Sequence, residues 1–330
     1  MRALSLAISN NVAAFRDRLR SVLTAEIAAG RLAGSTGAGM ERARSSSPPV
    51  AISAPGAGQR LPTQPIDVTF KKGPERPDDI AVIVANADYS RLTRDIPNVV
   101  PAYADAEGFR RYAIQFLGVR EGNIIFLKDA TGAQMTRVFG SDTNPRGQLA
   151  DWTKPGRSRV YVYYAGHGAP GGAGGSAYLV PADADAARIE LNGYPLETLY
   201  RNLARLPAVS VTVVLEACFS GNSQAGRVQP AASDIVPAAK PVPIPPNITV
   251  ISGGASNQIA SWEDDRKRSL FTSYFLKAMS GEADRPPYGN GDGIVDWQEA
   301  RAYLNDTVTY YARRYYGRDQ TPEISVGKSP

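Results

Sequence analysis

The chain of 330 residues holds one histidine and one cysteine, and both stand where nucleophilic chemistry needs them. His167 falls in Tyr163-Tyr164-Ala165-Gly166-His167-Gly168, directly after the apolar run Val160-Tyr161-Val162. Cys218 falls in Glu216-Ala217-Cys218-Phe219-Ser220-Gly221, directly after Val211-Thr212-Val213-Val214-Leu215. In each, a β-branched run stops and a glycine-containing turn begins with the reactive side chain at the junction. Open α/β sheets present functional groups there, at the carboxyl ends of strands. A thiolate is the effective nucleophile, and a free cysteine with a pKa of about 8.5 is mostly protonated at neutral pH. An imidazole within hydrogen-bond reach can take that proton or stabilise the thiolate. Taken singly, such residues are more often a small buried hydrophobe and a hydrogen-bonded core histidine. Their coincidence at two strand ends favours chemistry. Two ligands are too few for a structural zinc site, which takes about four.

The elements that must position this pair follow from hydrophobic periodicity. Ile80–Ala85 reads as a strand buried on both faces. Ala102–Leu117 has helical spacing through Ala106, Phe109, Tyr112, Ala113 and Phe116. Strands are expected at Asn123–Leu127, Arg159–Tyr164, Ala177–Val180, Val209–Leu215 and Ile248–Ile251. Helices are expected at Thr131–Phe139, Pro195–Leu206, Leu270–Met279 and from Asp296 to about Tyr316. Alternation of strand and helix implies βαβ units around a mostly parallel sheet. The glycine-rich stretch Gly168–Gly175 reads as a mobile rim of the cleft rather than a phosphate loop, because no helix follows it.

Composition bounds the rest. Residues 1–77 read as a tail: a basic amphipathic helix across Val12–Ala29, then a disordered Gly/Ala/Ser/Pro-rich linker, with the folded domain spanning 78–327. No run of eighteen apolar residues exists to span a membrane. Asn10 and Asn11 break the N-terminal apolar run, which reads poorly as a signal peptide. The single cysteine fits the cytoplasm, with a periplasmic or secreted enzyme left open. A net charge of +5 is scattered, without a recognition pattern for nucleic acid, so no nucleic-acid partner is expected.

With these motifs in view, the chain resembles bacterial caspase-like (C14-type) cysteine peptidases of the caspase–metacaspase clan. The resemblance covers roughly residues 78–325 and rests on several segments. They are Asn86 and Tyr89, the Asp105 helix, the two motifs above, Tyr178-Leu179-Val180-Pro181 and Ala260-Ser261-Trp262. Leu270-Phe271-Thr272, Gly281-Glu282-Ala283-Asp284 and Gln320-Thr321-Pro322 complete it. It implies an αβα sandwich with a mostly parallel sheet and helices on both faces. It also implies a cysteine endopeptidase with Cys218 as nucleophile, His167 as acid–base partner, and the N–H groups of Gly168 and Cys218 as oxyanion donors. No cofactor is required, and the partner is a protein or peptide substrate. Where metacaspases have His and animal caspases Arg after the nucleophile, this chain has Phe219.

The same resemblance bears on specificity. Its metacaspase branch places acids in the first pocket at the positions of Glu216 and Asp105. Animal caspases place Arg after the Ser-Trp pair, where Ser261-Trp262 is followed here by Glu263. An anionic pocket attracts a basic side chain, so cleavage after Arg or Lys is expected, with Asp105, Glu216, Trp262 and Glu263 binding substrate. Alternatively, Glu263–Asp265 pair with Arg266–Arg268 on a solvated loop. A Pro/Ala-rich insertion at 222–246 carries Arg227 and Lys240, candidate self-cleavage points. Asn290, Asp292, Asp296 and Glu299 fall at the spacing of a Ca²⁺ loop, though Tyr288 occupies the first ligand position; a turn capping the last helix is the alternative. Two other readings stay open: a catalytically silent interaction module whose N-terminal tail recruits a regulatory partner, and a thiol hydrolase or acyltransferase of another fold. The latter is disfavoured by the absence of a Gly-x-Ser-x-Gly-like elbow.

Overall fold

Residue alternation along β1 (Ile80–Ala85) already defines two packed layers. Ala81, Ile83 and Ala85 enter one core and Ile80, Val82 and Val84 the other, and all six are buried. That is the demand on a strand covered on both faces. The structure is a computed structural model that describes residues 61–93, 95–171, 175–224, 226–228, 239–263, 265 and 267–327. The expected N-terminal helix and most of the expected linker lie outside these residues, as do Gly172–Gly174, Asp264, Arg266 and the middle of the Pro/Ala-rich insertion.

After β1 the chain forms α1 (Ala102–Gln115), β2 (Ile124–Lys128), α2 (Gly132–Phe139), α3 (Gln148–Trp152) and β3 (Arg159–Ala165). A small antiparallel sheet follows, β4 (Gly168–Gly171), β5 (Ser176–Leu179) and β6 (Tyr194–Pro195), then α4 (Leu196–Ala204) and β7 (Ser210–Glu216). The hairpin β8 (Asn222–Ser223) and β9 (Gly226–Arg227) precedes β10 (Ile248–Ser252), α5 (Leu270–Lys277), α6 (Trp297–Tyr316) and β11 (Glu323–Val326). The central sheet runs β11-β10-β7-β3-β1-β2, parallel throughout except for β11. Helices α1, α5 and α6 cover one face through Phe109, Phe271, Phe275, Leu304 and Val308. Helices α2, α3 and α4 cover the other through Met135, Val138, Leu149, Leu199 and Leu203. This is the αβα sandwich the sequence implies.

Local chemistry sets the ends of the helices. Thr131 opens α2 with a capping box to Gln134, and Asp296 opens α6 with one to Glu299. Phe109 stacks on Tyr163 with ring centroids 4.5 Å apart, which pins α1 against β3 one turn beyond Asp105.

Two differences from expectation have physical causes. Val68 and Phe70, assigned by sequence to the linker, are buried in the α1 layer, and Phe70 meets the Tyr112 ring at 5.3 Å. Gly168–Gly171, read as a mobile rim, is a strand because β5 pairs with it along its length. Gly171 admits it: a Cβ there would sit 2.5 Å from the Tyr178 ring. No helix among the described residues is long and apolar enough to cross a membrane.

Candidate active site

Strand register brings the histidine and the cysteine to the same edge. β3 and β7 are adjacent and parallel, with Ala165 opposite Glu216. His167 and Cys218 each lie two residues beyond that pair, at the carboxyl ends of neighbouring central strands. Gly168 is tight against the cysteine, for a Cβ there would come 2.8 Å from the Cys218 carbonyl oxygen and 2.8 Å from Phe219 Cδ1. A side chain at 168 would collide with the backbone of Cys218 and the Phe219 ring.

The histidine is held from all sides. Tyr89 accepts from the His167 N–H at 3.1 Å, and its ring centroid lies 4.9 Å from the imidazole. Tyr164 donates to the His167 carbonyl at 2.8 Å. His167 Nε2 bonds the Pro97 carbonyl at 2.6 Å. A carbonyl only accepts, so Nε2 carries the proton and Nδ1 of the neutral ring keeps a free lone pair. Burial pulls the imidazole down to about 4, against the Pro97 bond that favours its charged form.

Cys218 is a buried free thiol. Its sulfur accepts from the Ala260 N–H, on the segment ahead of α5. Burial pushes the thiol up to about 12; the Ala260 bond and the Arg318 charge lower it, and the Glu216 charge raises it. In this arrangement both groups are neutral, thiol and imidazole.

The segment covering the sulfur has its donors engaged. Ser261 N–H donates to Gln320 Oε1 at 2.8 Å, Trp262 N–H to Gln224 Oε1 at 2.7 Å, and Glu263 N–H to the Arg268 carbonyl at 2.8 Å. Trp262 is buried, and its carbonyl accepts from Tyr316 at 2.7 Å.

Asp105 and Glu216 meet at the N-terminus of α5. Glu216 Oε2 accepts from Ser269 Oγ at 2.7 Å, and from the Thr272 N–H and Oγ1 at 3.2 Å each. Both Asp105 oxygens accept from the Ser269 N–H, at 3.1 and 3.2 Å. Burial pushes Glu216 up to about 7, and burial together with the Glu216 charge holds Asp105 well above the carboxylate range. Neither acid forms an ion pair among the described residues. Glu263, by contrast, is committed: Arg268 Nε donates to its Oε2 at 2.8 Å, the solvated pairing weighed above.

The acidic turn before α6 spends its side chains locally. Asp296 caps the helix through the N–H groups of Gln298 and Glu299. Glu299 accepts from the Asn290 N–H at 3.0 Å and the Asp296 N–H at 3.1 Å, and Asn290 Nδ2 donates to Asp292 at 3.1 Å. Among the described residues no three His, Cys, Asp or Glu side chains are placed to hold a metal ion together. These contacts are those of a helix-capping turn.

Sequence reasoning missed Pro97, Ser269, Gln224 and Arg318. Of these only Ser269 carries a local signal, a serine directly before a helix.

A parallel sandwich with a thiol and an imidazole at the ends of adjacent strands has the layout of a thiol-dependent hydrolase. Residues 78–328 match the caspase domain of peptidase family C14, and the chain belongs to that family of cysteine peptidases. Among solved structures it is similar to caspase-1 from Spodoptera frugiperda. That likeness is 12% identity over 81% of this chain and 94% of the other, with a TM-score of 0.46. No curated protein matches the chain.

Proposed function

We propose that the chain is an endopeptidase that cleaves after Arg or Lys through Cys218 and His167. The observation that carries the specificity is the pair Asp105 and Glu216: two buried acids that form no ion pair among the described residues, the nearby Arg268 being held by Glu263, two residues and one helix cap away from the thiol. Burying acids without a counter-charge is costly, and a substrate guanidinium or ammonium entering beside them recovers that cost.

Opening of the Ala260 segment admits the peptide. Nδ1 of His167 takes the thiol proton as sulfur attacks the scissile carbonyl, and the oxyanion meets the N–H groups of Gly168 and Cys218. His167 then protonates the departing amine, leaving a thioester. The imidazole next removes a proton from water, which attacks the thioester and restores the thiol. Losing one oxyanion donor typically costs about 10²–10³ in rate.

A fluorogenic peptide panel tests the reading: Arg and Lys substrates should be cleaved, and faster cleavage after Asp would sink it. The covered, fully protonated thiol favours one other reading, a catalytically silent module. Labelling of Cys218 by a peptidyl electrophile, lost in His167→Ala, separates them.

A further inference from the structure

Arg318 follows the Gly317 that ends α6, and its guanidinium reaches the segment covering the thiol. Nε donates to Ser261 Oγ at 3.2 Å, and Nη2 donates to Gln224 Oε1 at 3.0 Å and the Ala260 carbonyl at 3.5 Å. All three acceptors are neutral, and Arg318 forms no ion pair among the described residues. With the Tyr316 ring 5.0 Å from the guanidinium as a further contact, the half-buried cation has only neutral partners among the described residues and keeps its full charge. The same Ala260 that accepts from Arg318 directs its own N–H at Cys218 Sγ.

We propose that Arg318 is a positioning residue for Cys218: it holds the Ala260 N–H on the sulfur, and its uncompensated charge favours the thiolate. Of the charged or titratable groups on the elements around the site, Glu216 at the end of β7 acts on the sulfur and opposes a negative charge there. His167 beyond β3 bonds Pro97, Asp105 on α1 is held by Ser269, and Glu263 and Arg268 in the loop before α5 pair with each other. Arg318 is left as the cation without a carboxylate partner. Its electrostatic influence on Cys218 runs in the proposed direction. The inference rests on Cys218 being a reactive thiol, and it stands or falls separately from peptide hydrolysis.

Because Cys218 is the chain's sole cysteine, iodoacetamide modification followed by intact mass reads this thiol alone. Rates would be measured from about pH 6 to 9 on the full chain for wild type, Arg318→Met, Arg318→Lys and Gln224→Glu. The last sets a carboxylate against Arg318 without removing it. Arg318→Met should react about three- to tenfold more slowly at each pH on the rising limb, corresponding to about half to one pKa unit. Arg318→Lys should stay within about twofold of wild type, and Gln224→Glu should slow as Arg318→Met does. Faster modification of Arg318→Met would mean that the arginine only pins a cover over the thiol. Unchanged rates would mean no coupling; either result overturns the proposal. If Arg318→Met does not fold, Gln224→Glu carries the test. Failure of the peptidase reading would look different: no peptide cleavage by wild type, with the alkylation differences intact.

Discussion

Burial moves Glu216 up to about 7 and His167 down to about 4, each towards its neutral form. Between pH 4.5 and 7 the folded chain keeps a proton on Glu216 that the unfolded chain releases. Its stabilising contribution is therefore full below that window and is lost as pH rises through it. Between pH 6.5 and 4 the folded chain leaves His167 neutral while the unfolded chain protonates it, so that contribution is lost as pH falls. Each is worth about 3 kcal/mol, and over their shared window they oppose. Asp105 adds in the direction of Glu216. Removing one group exposes the other. Glu216→Gln should lose stability on acidification from about pH 7 to 5 relative to wild type, and His167→Gln should gain it. Denaturant unfolding at the two pH values checks this, and variants that keep the wild-type dependence would defeat it. Gly168 makes a steric prediction beside the electrostatic one. The methyl of Gly168→Ala would press on the Cys218 carbonyl, a backbone atom that cannot swing aside. Peptidase activity should fall at least about a hundredfold, with a stability loss of about 1–3 kcal/mol in a thermal melt.

Two helix caps of similar local worth have different consequences for the site. Ser269 caps α5 by accepting from the Thr272 N–H, while its hydroxyl donates to Glu216 and its N–H holds Asp105. Asp296 caps α6, and among the described residues its hydrogen bonds go to Gln298 and Glu299 of the same turn. Replacing either by Ala should cost about 1–2 kcal/mol. Ser269→Ala should also raise KM for Arg and Lys peptides by about tenfold, because Glu216 loses the hydroxyl that fixes it, while the backbone N–H at 269 still holds Asp105. Asp296→Ala should leave KM unchanged. Steady-state kinetics beside thermal melts separates the two effects, and equal KM values for both variants would remove Ser269 from the pocket.

At the scale of the molecule, legibility tracks how much of an element's cause is local. β1, β3, β7 and β10 are legible because strands buried on both faces need unbroken β-branched runs. β4 has none; Gly168-Ala169-Pro170-Gly171 is extended because β5 lies beside it. The strand-end places of His167 and Cys218 can be read from their flanking runs. Pro97 offers only a carbonyl, which has no sequence signature. Arg318 stands 58 positions from Ala260 and meets it only because the chain returns after α6. The same long-range order bears on the insertion between Arg227 and Lys240, whose residues 229–238 lie outside those described. It joins β7 to β10, which pair side by side from Val211–Ile248 to Leu215–Ser252. The C-terminal part contributes Ile248, Val250, Ile251, Phe271, Phe275, Leu304 and Val308 to cores shared with the N-terminal part. Each fully buried side chain of this kind contributes about 1.5–3 kcal/mol to holding the two parts together. A specific protease site placed between Ala231 and Pro237 and then cut should leave one particle of the uncut size, 35.3 kDa, on a native column. The same sample should give two bands once denatured. In the uncut chain, any fragment ending at Arg227 or Lys240 should be absent from Cys218→Ala when intact masses are compared. Separate elution of the two halves would show that the connection, rather than the shared cores, holds the sheet together.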